Sequence, residues 1–378
     1  MPDAPTVPVD PFVGVVRGID EPGASATLRA AGPIVQVAAP AGGLVWIITD
    51  DALARQALGD ERLVKDPAFA PTSWQPLAAG LEPTAAQQVS LTTLDGPAHT
   101  ALRRAHIPLL TARQVQAHGD RIATIARGLL GAAATADGPV DLTGDFTTRF
   151  PLAVVCEVLG APTDRLDDAV AACRRMGTDD PTAFPATVGA LMPLAAAALR
   201  GGDGVAAGLR ERAPEGITES DLQYLVFGLV FAGQITTAAA LGFLVARALG
   251  GVRPDGQPAD EFVHDVLRHH PPAAFTLWRF TSTEMELGGV RLPERSPVLV
   301  DIAGINSAPR GQGADLTFGA GPHFCVGAQL AQLEMRVVVD VLATDFPDAR
   351  LAVPYDALQR VDRGMHGSRL TALPVLLS

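Results

Sequence analysis

The sequence is short of lysine and of basic charge, and this shortage excludes one large class of partners. Lys65 is the only lysine in the chain, and 29 basic residues stand against 41 acidic ones, so the formal net charge is -12. A protein that binds nucleic acid needs lysine and arginine clustered along the phosphates. We therefore expect no nucleic-acid partner. One lysine among many arginines and alanines is typical of a bacterial protein encoded by GC-rich DNA.

Cysteine is scarce as well. Cys156, Cys173 and Cys325 form an odd set without the even, patterned spacing of a disulfide framework, which favours a reducing cytoplasm. The first ten residues contain no basic segment followed by an apolar one, so the sequence predicts no secretory signal.

Hydrophobic residues, by contrast, are abundant. They make up 48% of the 378 residues, enough for a large core, and the run 224–249 is apolar nearly throughout. That run is long enough to span a bilayer. Its centre, however, carries Gln234, Thr236 and Thr237, and no basic segment flanks it. The pattern therefore predicts the core helix of a large helical protein and no membrane association.

The remaining pattern indicates mostly helix, with strands near each end. Residues 60–90 are rich in proline and are expected to form a long functional loop. Asp95 is expected to cap a helix that begins at Gly96-Pro97. The other predicted elements are a hairpin of strands 34–37 and 44–49, a helix from Asp50 to about Gly59, four helical segments between Ala112 and Arg212, helices over 219–249 and up to Pro271-Pro272, and strands over 276–302.

Residues able to carry chemistry are concentrated around Cys325, in the run Phe318-Gly-Ala-Gly-Pro-His-Phe-Cys325-Val-Gly327. A helical pattern from Val326 to about Ala343 places the sulfur at a helix N-terminus, where unpaired N–H groups stabilise a thiolate. A nucleotide-binding loop is excluded, because the third glycine of that motif would fall at Phe324. An inert buried cysteine beside a glycine-rich turn remains the alternative.

This run resembles the haem-ligand signature of the cytochromes P-450. The resemblance extends from about residue 10 to the C-terminus and implies haem b with Cys325 as the thiolate ligand of its iron. It also implies a mainly α fold with small β-sheets, in which haem is buried between a long central helix and the helix after the cysteine. Residues 1–378 would form one such domain, with its β-containing parts at about 30–50 and 276–302.

Further residues match the family's haem contacts in the right order. By this resemblance His99, Arg103, Arg279 and His323 bind the haem propionates, and Phe318, Gly319 and Gly327 contact the cofactor. His99 and Arg103 are four residues apart on one helix face, and the arginine fork pairs well with carboxylates.

Two departures concern the structural frame around the haem. Asp265-Val-Leu-Arg268 stands where the family has E-x-x-R, so we expect the structural ion pair on a shorter arm. Only the eight residues 310–317 separate Pro309 from Phe318, where relatives carry a longer loop that faces the electron donor.

A third departure lies in the oxygen-activation motif. Residues 232–237 read Ala-Gly-Gln-Ile-Thr-Thr, which is similar to A-G-x-(D/E)-T. The resemblance assigns Thr236 as the hydroxyl that hydrogen-bonds dioxygen and Gly233 as the residue that opens a pocket above iron. Ile235 replaces the acid that relays protons. Either Gln234 and water take over the relay, or the reaction does not need ordinary proton delivery.

Three functions follow from the resemblance and its departures. The first is a monooxygenase of bacterial secondary metabolism, such as antibiotic biosynthesis, that oxidises an apolar or aromatic small molecule with electrons from ferredoxin and ferredoxin reductase. The second is haem-thiolate chemistry of another kind: peroxide-driven oxidation, oxidative coupling, rearrangement or dehydration. The third is a non-catalytic scaffold that binds a ligand or a carrier protein. The expected substrate pocket comprises the 60–90 loop with Val230, Gln234, Ala274, Phe275, Thr276, Met365 and His366.

Overall fold

In the computed structural model, the chain is described at residues 4–80, 87–176, 180, 182–254, 256–309 and 314–377, except for the side chain of His366. Parts of the predicted 60–90 and 310–317 loops thus lie outside the described residues. Most of the described chain is helical, as predicted. The α-helices are α1 Ser25–Ala31, α2 Asp51–Gly59, α3 Gly96–His106, α4 Ala112–Gln116, α5 Gly119–Ala133, α6 Arg149–Leu159, α7 Leu166–Arg175, α8 Ala183–Gly201, α9 Gly204–Arg212, α10 Glu219–Leu249, α11 Ala259–His269, α12 Ile302–Ser307 and α13 Ala328–Asp345.

The strands are short. They are β1 Val15–Gly18, β2 Ile34–Ala38, β3 Leu44–Ile48, β4 Leu63–Val64, β5 Val140–Asp141, β6 Arg279–Thr281, β7 Met285–Leu287, β8 Val290–Leu292, β9 Pro297–Val300, β10 Arg350–Leu351, β11 Gln359–Asp362, β12 Ser368–Leu370 and β13 Pro374–Leu376. The largest sheet has the order β2-β3-β9-β6-β4, and smaller sheets join β1-β11-β12, β10-β13-β5 and β7-β8. The predicted hairpin is confirmed as β2 and β3, and the strands over 276–302 as β6 to β9.

The long helix α10 forms the centre of the core, as its composition predicts. A capping box begins it: the Thr218 hydroxyl accepts a hydrogen bond from the Asp221 N–H, and the Asp221 carboxylate accepts one from the Thr218 N–H. The helix packs on α6, α8 and α13. Two helices, α8 and α10, are long and apolar enough to cross a membrane, but two thirds of the apolar window of α10 is buried inside the protein.

The helical region before α10 is divided more finely than predicted. Between Ala112 and Arg212 the described residues form six α-helices instead of four. One additional boundary falls at Ala117-His118, between α4 and α5. The boundary between α8 and α9, by contrast, falls where the glycine pair Gly201-Gly202 predicts it: Gly202 ends α8 with a φ of 79°, a left-handed conformation that glycine adopts without steric cost.

Two predicted side-chain contacts are wrong. Asp95 precedes α3 but makes no capping hydrogen bond to it, because its carboxylate is engaged by Lys65 and His323 instead. Asp265 and Arg268 form no ion pair: the Arg268 guanidinium donates to the carbonyl oxygens of Asn306 and Ala308 at 2.8 and 2.7 Å. The Asp265 carboxylate accepts from the Gln257 amide at 2.7 Å. The short Asp side chain thus engages Gln257, while Arg268 braces the end of α12.

Candidate active site

The loop before α13 is held in a tight conformation that presents Cys325. The Cys325 N–H donates to the Phe318 carbonyl at 2.9 Å, and the Gly319 N–H donates to the Leu316 carbonyl at 2.8 Å. Gly319 and Gly321 have φ values of 75° and 69°. A Cβ atom at position 321 would lie 2.7 Å from the Leu58 carbonyl oxygen, so glycine is required where the loop passes the end of α2.

The sulfur of Cys325 lies at the N-terminus of α13, as predicted. The residue is exposed, yet it is surrounded by protein atoms, as expected for a side chain that lines an internal cavity. Burial raises the pKa of its thiol, while the Gly327 N–H, the Arg103 guanidinium and the Ala328 N–H lower it. The protein therefore aims positive groups at the sulfur, and a cation bound at the sulfur would offset the remaining cost of a buried thiolate.

The four predicted propionate contacts lie together beside this loop. The Arg103 guanidinium donates to the Phe324 carbonyl at 2.7 Å. The rings of His99 and His323 are stacked, with centroids 3.9 Å apart. Arg279 is only 4% exposed, and its guanidinium donates to the Leu63 carbonyl at 3.1 Å. The sequence positions 99–103, 279 and 323 thus converge on one side of the cysteine loop.

Two further residues belong to this cluster. The Asp95 carboxylate accepts from His323 Nε2 at 2.9 Å and from the Lys65 N–H at 2.6 Å. Burial and the nearby Arg279 lower the pKa of the Lys65 ammonium to about 7, although Asp95 acts against the shift. Asp95 is thus the carboxylate that faces Lys65, Arg279 and His323.

The cluster fits a ligand that carries two carboxylates. His99 Nε2 and Arg279 Nε are buried and have no hydrogen-bond partner among the described residues. A buried polar atom without a partner costs free energy, most of all when it belongs to a cation. The propionates of haem would supply both the acceptors and the negative charge. This observation, with the exposed thiol, makes the residues present suitable for haem.

One face of α10 is open in the same region. Gly228 and Ala232 are exposed although the helix is otherwise largely buried, and Thr236 continues their row at a spacing of four residues. The Thr236 hydroxyl donates to the Ala232 carbonyl at 2.7 Å. α10 packs on α13, the helix that follows Cys325, and we infer that the open row and the exposed thiol border one space between these two helices. The position of Thr236 agrees with the role that the family resemblance assigns to it.

Three residues predicted on the same helix do not face this space. The Gln234 side chain is 2% exposed and its amide donates to the Thr148 carbonyl at 3.3 Å, so the proposed relay through Gln234 is contradicted. A Cβ atom on Gly233 would lie 2.8 Å from Val155 Cγ2, which means that this glycine allows close packing on α6 and does not open the pocket. Val230 is fully buried in the core. Residues 230, 233 and 234 fall outside the open row because they do not follow its spacing of four residues.

The remaining predicted pocket residues come from two segments that lie side by side. A Cβ atom on Gly367 would lie 1.8 Å from the Pro272 carbonyl oxygen, so the turn between β11 and β12 touches the 272–276 segment. Ala274, Phe275 and Met365 share one hydrophobic cluster. Phe275 is buried against Phe12, with ring centroids 5.7 Å apart, and Thr276 accepts a hydrogen bond from the Val300 N–H. The side chain of His366 lies outside the described part of the chain.

Four site residues were not predicted from the sequence: Lys65, Asp95, Gly228 and Ala232. Two signals could have found them. Lys65 is the only lysine of the chain, and its presence where arginine is otherwise used indicates a functional role. Gly228 and Ala232 precede Thr236 at intervals of four, which places all three on one helix face. The position of Asp95 before a helix predicts a cap, so its role in the site has no local signal in the sequence.

Comparison with known proteins gives the same interpretation. No family model matches the chain. It is 42% identical, over 99% of both chains, to the cytochrome P-450 monooxygenase DoxA of Streptomyces sp. strain C5. It is 32% identical to the cytochrome P450 monooxygenase PikC of Streptomyces venezuelae, over 87% of this chain and 84% of that protein.

Solved structures agree with these sequence relatives. CYP154A1 from Streptomyces coelicolor A3(2) superimposes with a TM-score of 0.80 at 28% identity, over 94% of this chain and 96% of that chain. The P450 monooxygenase TamI, solved with tirandamycin C bound, gives a TM-score of 0.79 at 27% identity over the same shares. With the cysteine loop and the basic cluster in place, the chain belongs to the cytochrome P-450 family and is a haem-thiolate monooxygenase.

Proposed function

We propose that this enzyme oxidises an apolar or aromatic small molecule of bacterial secondary metabolism, in the cytoplasm, with electrons from a ferredoxin and its reductase. Two features together carry the proposal: the exposed thiol of Cys325, and the open face of α10 formed by Gly228, Ala232 and Thr236. The tirandamycin complex of TamI and the monooxygenase names of DoxA and PikC support a secondary metabolite as substrate.

Haem, when bound, supplies the redox-active iron that activates dioxygen. The residues of this chain hold and tune it. The Cys325 sulfur would bind the haem iron as a thiolate, and the N–H groups of Gly327 and Ala328 would moderate its electron donation. Lys65, Arg103 and Arg279 would neutralise the propionates, and His99 Nε2 would donate a hydrogen bond that orients one of them, with the His99 ring stacked on His323.

Thr236 is the group that handles protons in the open row. Its hydroxyl donates to the Ala232 carbonyl at 2.7 Å, which leaves the oxygen lone pairs available to accept a hydrogen bond. Neither neighbour offers a titratable group, because Ile235 is apolar and Gln234 is turned toward Thr148. Protons must therefore reach Thr236 through water that enters the cavity or through a group on the substrate.

Steady-state turnover with labelled dioxygen tests this proposal. The holoprotein is supplied with NADPH, a surrogate ferredoxin and its reductase, and a panel of steroid and polyketide probes. We expect one labelled oxygen atom per molecule of product, with product formation dependent on the ferredoxin. Product that forms from peroxide alone, at the same rate without reductant, would overturn the proposal in favour of peroxide-driven oxidation. The missing acid at Ile235 is the observation that favours that alternative.

A further inference from the structure

A guanidinium group lies beside the proposed oxygen-activation motif, and the function described so far does not use it. Arg369 belongs to β12, and its Nη2 donates to the Ile235 carbonyl oxygen at 3.0 Å. Ile235 immediately precedes Thr236 and stands where the family has an acid. The Arg369 guanidinium thus contacts the backbone at the position where this chain lacks the family's acid.

Arg369 is largely enclosed by protein between α10 and the 272–276 segment. The residue keeps some exposed surface, yet burial is the main cause that lowers the pKa of its guanidinium, so protein encloses it on most sides. Leu370, the next residue, packs on Gly242 of α10. The turn that leads into β12 touches the 272–276 segment of the predicted substrate pocket. Arg369 therefore lies between the open helix and the pocket segments.

No acid of the described chain neutralises this cation. None of the ion pairs among the described residues includes Arg369. The acid in the adjacent strand, Asp362, is already paired with Arg17 and Arg360 at 3.2 and 3.0 Å. The thiol of Cys173 lies near Arg369, but burial raises the pKa of Cys173 to about 12, so it stays neutral. A second cation, Arg363, lowers the pKa of Arg369 further.

An enclosed guanidinium with a single neutral acceptor is costly for the folded protein. Most of its five N–H donors remain available to a planar anion, and a carboxylate matches their fork geometry. Substrate binding would supply the missing charge in a cavity whose other walls are largely apolar, where a charge-assisted hydrogen bond is strong.

We infer that Arg369 is a specificity residue that binds a carboxylate on the substrate, so that the enzyme takes an apolar molecule bearing an acidic group. The inference rests on the proposed function, because it assigns the substrate class of the same cavity. It also places a titratable group near Thr236, since a carboxylate held by Arg369 would lie beside the position that Ile235 leaves without an acid and could pass protons from water.

Ligand binding to the ferric holoprotein tests the inference without turnover. The probes are ω-(imidazol-1-yl)alkanoic acids of increasing chain length and their methyl esters. Nitrogen coordination shifts the Soret band and gives a Kd for each probe. At one or more chain lengths we expect the acid to bind about tenfold or more tightly than its ester, because a hydrogen bond to a charged group is worth at least that factor.

Arg369→Gln keeps a donor for the Ile235 carbonyl but removes the charge. It should abolish the preference for the acid and leave ester affinity unchanged, whereas Arg369→Lys should keep part of the preference. The matched control is Arg350→Gln, which removes an exposed arginine of β10 and should keep the full preference.

Two results would overturn the inference. One is equal affinity of acid and ester at every chain length in the unaltered protein, which needs no variant to fold. The other is a preference that survives in Arg369→Gln. Coordination of the esters shows independently that haem and cavity are intact, so a failure here is distinct from a failure of the proposed function.

Discussion

The rings of His99 and His323 lie stacked at a centroid distance of 3.9 Å, with their planes inclined by 27°. Burial, with the charges of His323 and Arg103, lowers the pKa of His99 to about 4, so its imidazole is neutral near pH 7. His323 is oriented by the Asp95 carboxylate. His99 can therefore donate a hydrogen bond to a haem propionate while His323 fixes the position of its ring, and the positive charge comes from the neighbouring lysine and arginines.

Lys65 makes haem retention depend on pH. Without a bound anion its pKa is about 7, and the negative propionates must raise it. Because the pKa of Lys65 is higher in the haem-bound state, the protein has extra affinity for haem at low pH, and this extra affinity is lost as the pH rises above about 7. Each unit of the shift corresponds to about a tenfold change in affinity. Haem transfer to apomyoglobin should accelerate from pH 7 to pH 10, and Lys65→Met should lose haem rapidly at all pH values. A wild-type rate independent of pH would refute this role.

Arg279 should be essential for haem retention. Its guanidinium is buried, and its Nε lacks a partner among the described residues. Removing a charged partner of a propionate should increase the rate of haem loss about tenfold to a hundredfold in Arg279→Leu. Arg291→Leu is the control, because Arg291 is exposed and pairs with Glu284 on the β7-β8 hairpin. Equal haem loss in both variants would exclude Arg279 from the propionate site.

Gly233 and Gly228 both lie on α10, but substitution by alanine should lower the stability of the protein only at Gly233. A Cβ atom at 233 would overlap Val155, which is itself buried, so Gly233→Ala should lower the free energy of unfolding by about 1–3 kcal/mol. Nothing lies within 4 Å of a Cβ atom at 228, so Gly228→Ala should not destabilise the protein. Chemical denaturation followed by circular dichroism measures both. Adding Val155→Ala should restore part of the stability that Gly233→Ala loses. If Gly233→Ala stabilises the protein instead, α6 and α10 are not tightly packed at this point.

Thr236 should control how efficiently electrons reach product. Because its hydroxyl is the polar group of the open row, Thr236→Ala should divert reducing equivalents to hydrogen peroxide and lower product per NADPH about tenfold or more. Thr236→Ser keeps the hydroxyl and should remain close to the unaltered enzyme. The ratio of product to NADPH consumed is the measurement. Unchanged coupling in Thr236→Ala would show that protons arrive by a route that does not include this residue.

The fold was predictable from the sequence to the extent that its elements have strong local signals. The apolar run of α10, the turn glycines at 288–289 and the hairpin around Pro40-Ala-Gly-Gly43 each specify their structure locally. The division between α4 and α5 is marked only by Gly119, the first residue of α5, and a single glycine within a helical pattern is a weak signal for a break. Asp95 shows a different limit: its position before a helix fits capping, and only tertiary contacts with Lys65 and His323 decide otherwise.

The site was predicted in part for a similar reason. Motif spacing identified Cys325, the propionate cluster and Thr236, because each belongs to a short local pattern. The other residues of the motif depend on which face of α10 is open. A rotation of 200° about the helix axis separates Ala232, on the open face, from the buried Gln234. Arg369 could not be predicted from any motif, since it meets Ile235 across a separation of 134 residues.

The visible spectrum of the dithionite-reduced protein under carbon monoxide tests the central claim most directly. If haem is bound with Cys325 as a thiolate ligand, the Soret band shifts strongly to the red. Cys325→Ser should lose that band, while Cys156→Ser, which changes a buried cysteine outside the site, should keep it. A Soret band typical of a neutral ligand, or a red-shifted band that survives in Cys325→Ser, would contradict the assignment of Cys325 as the haem ligand.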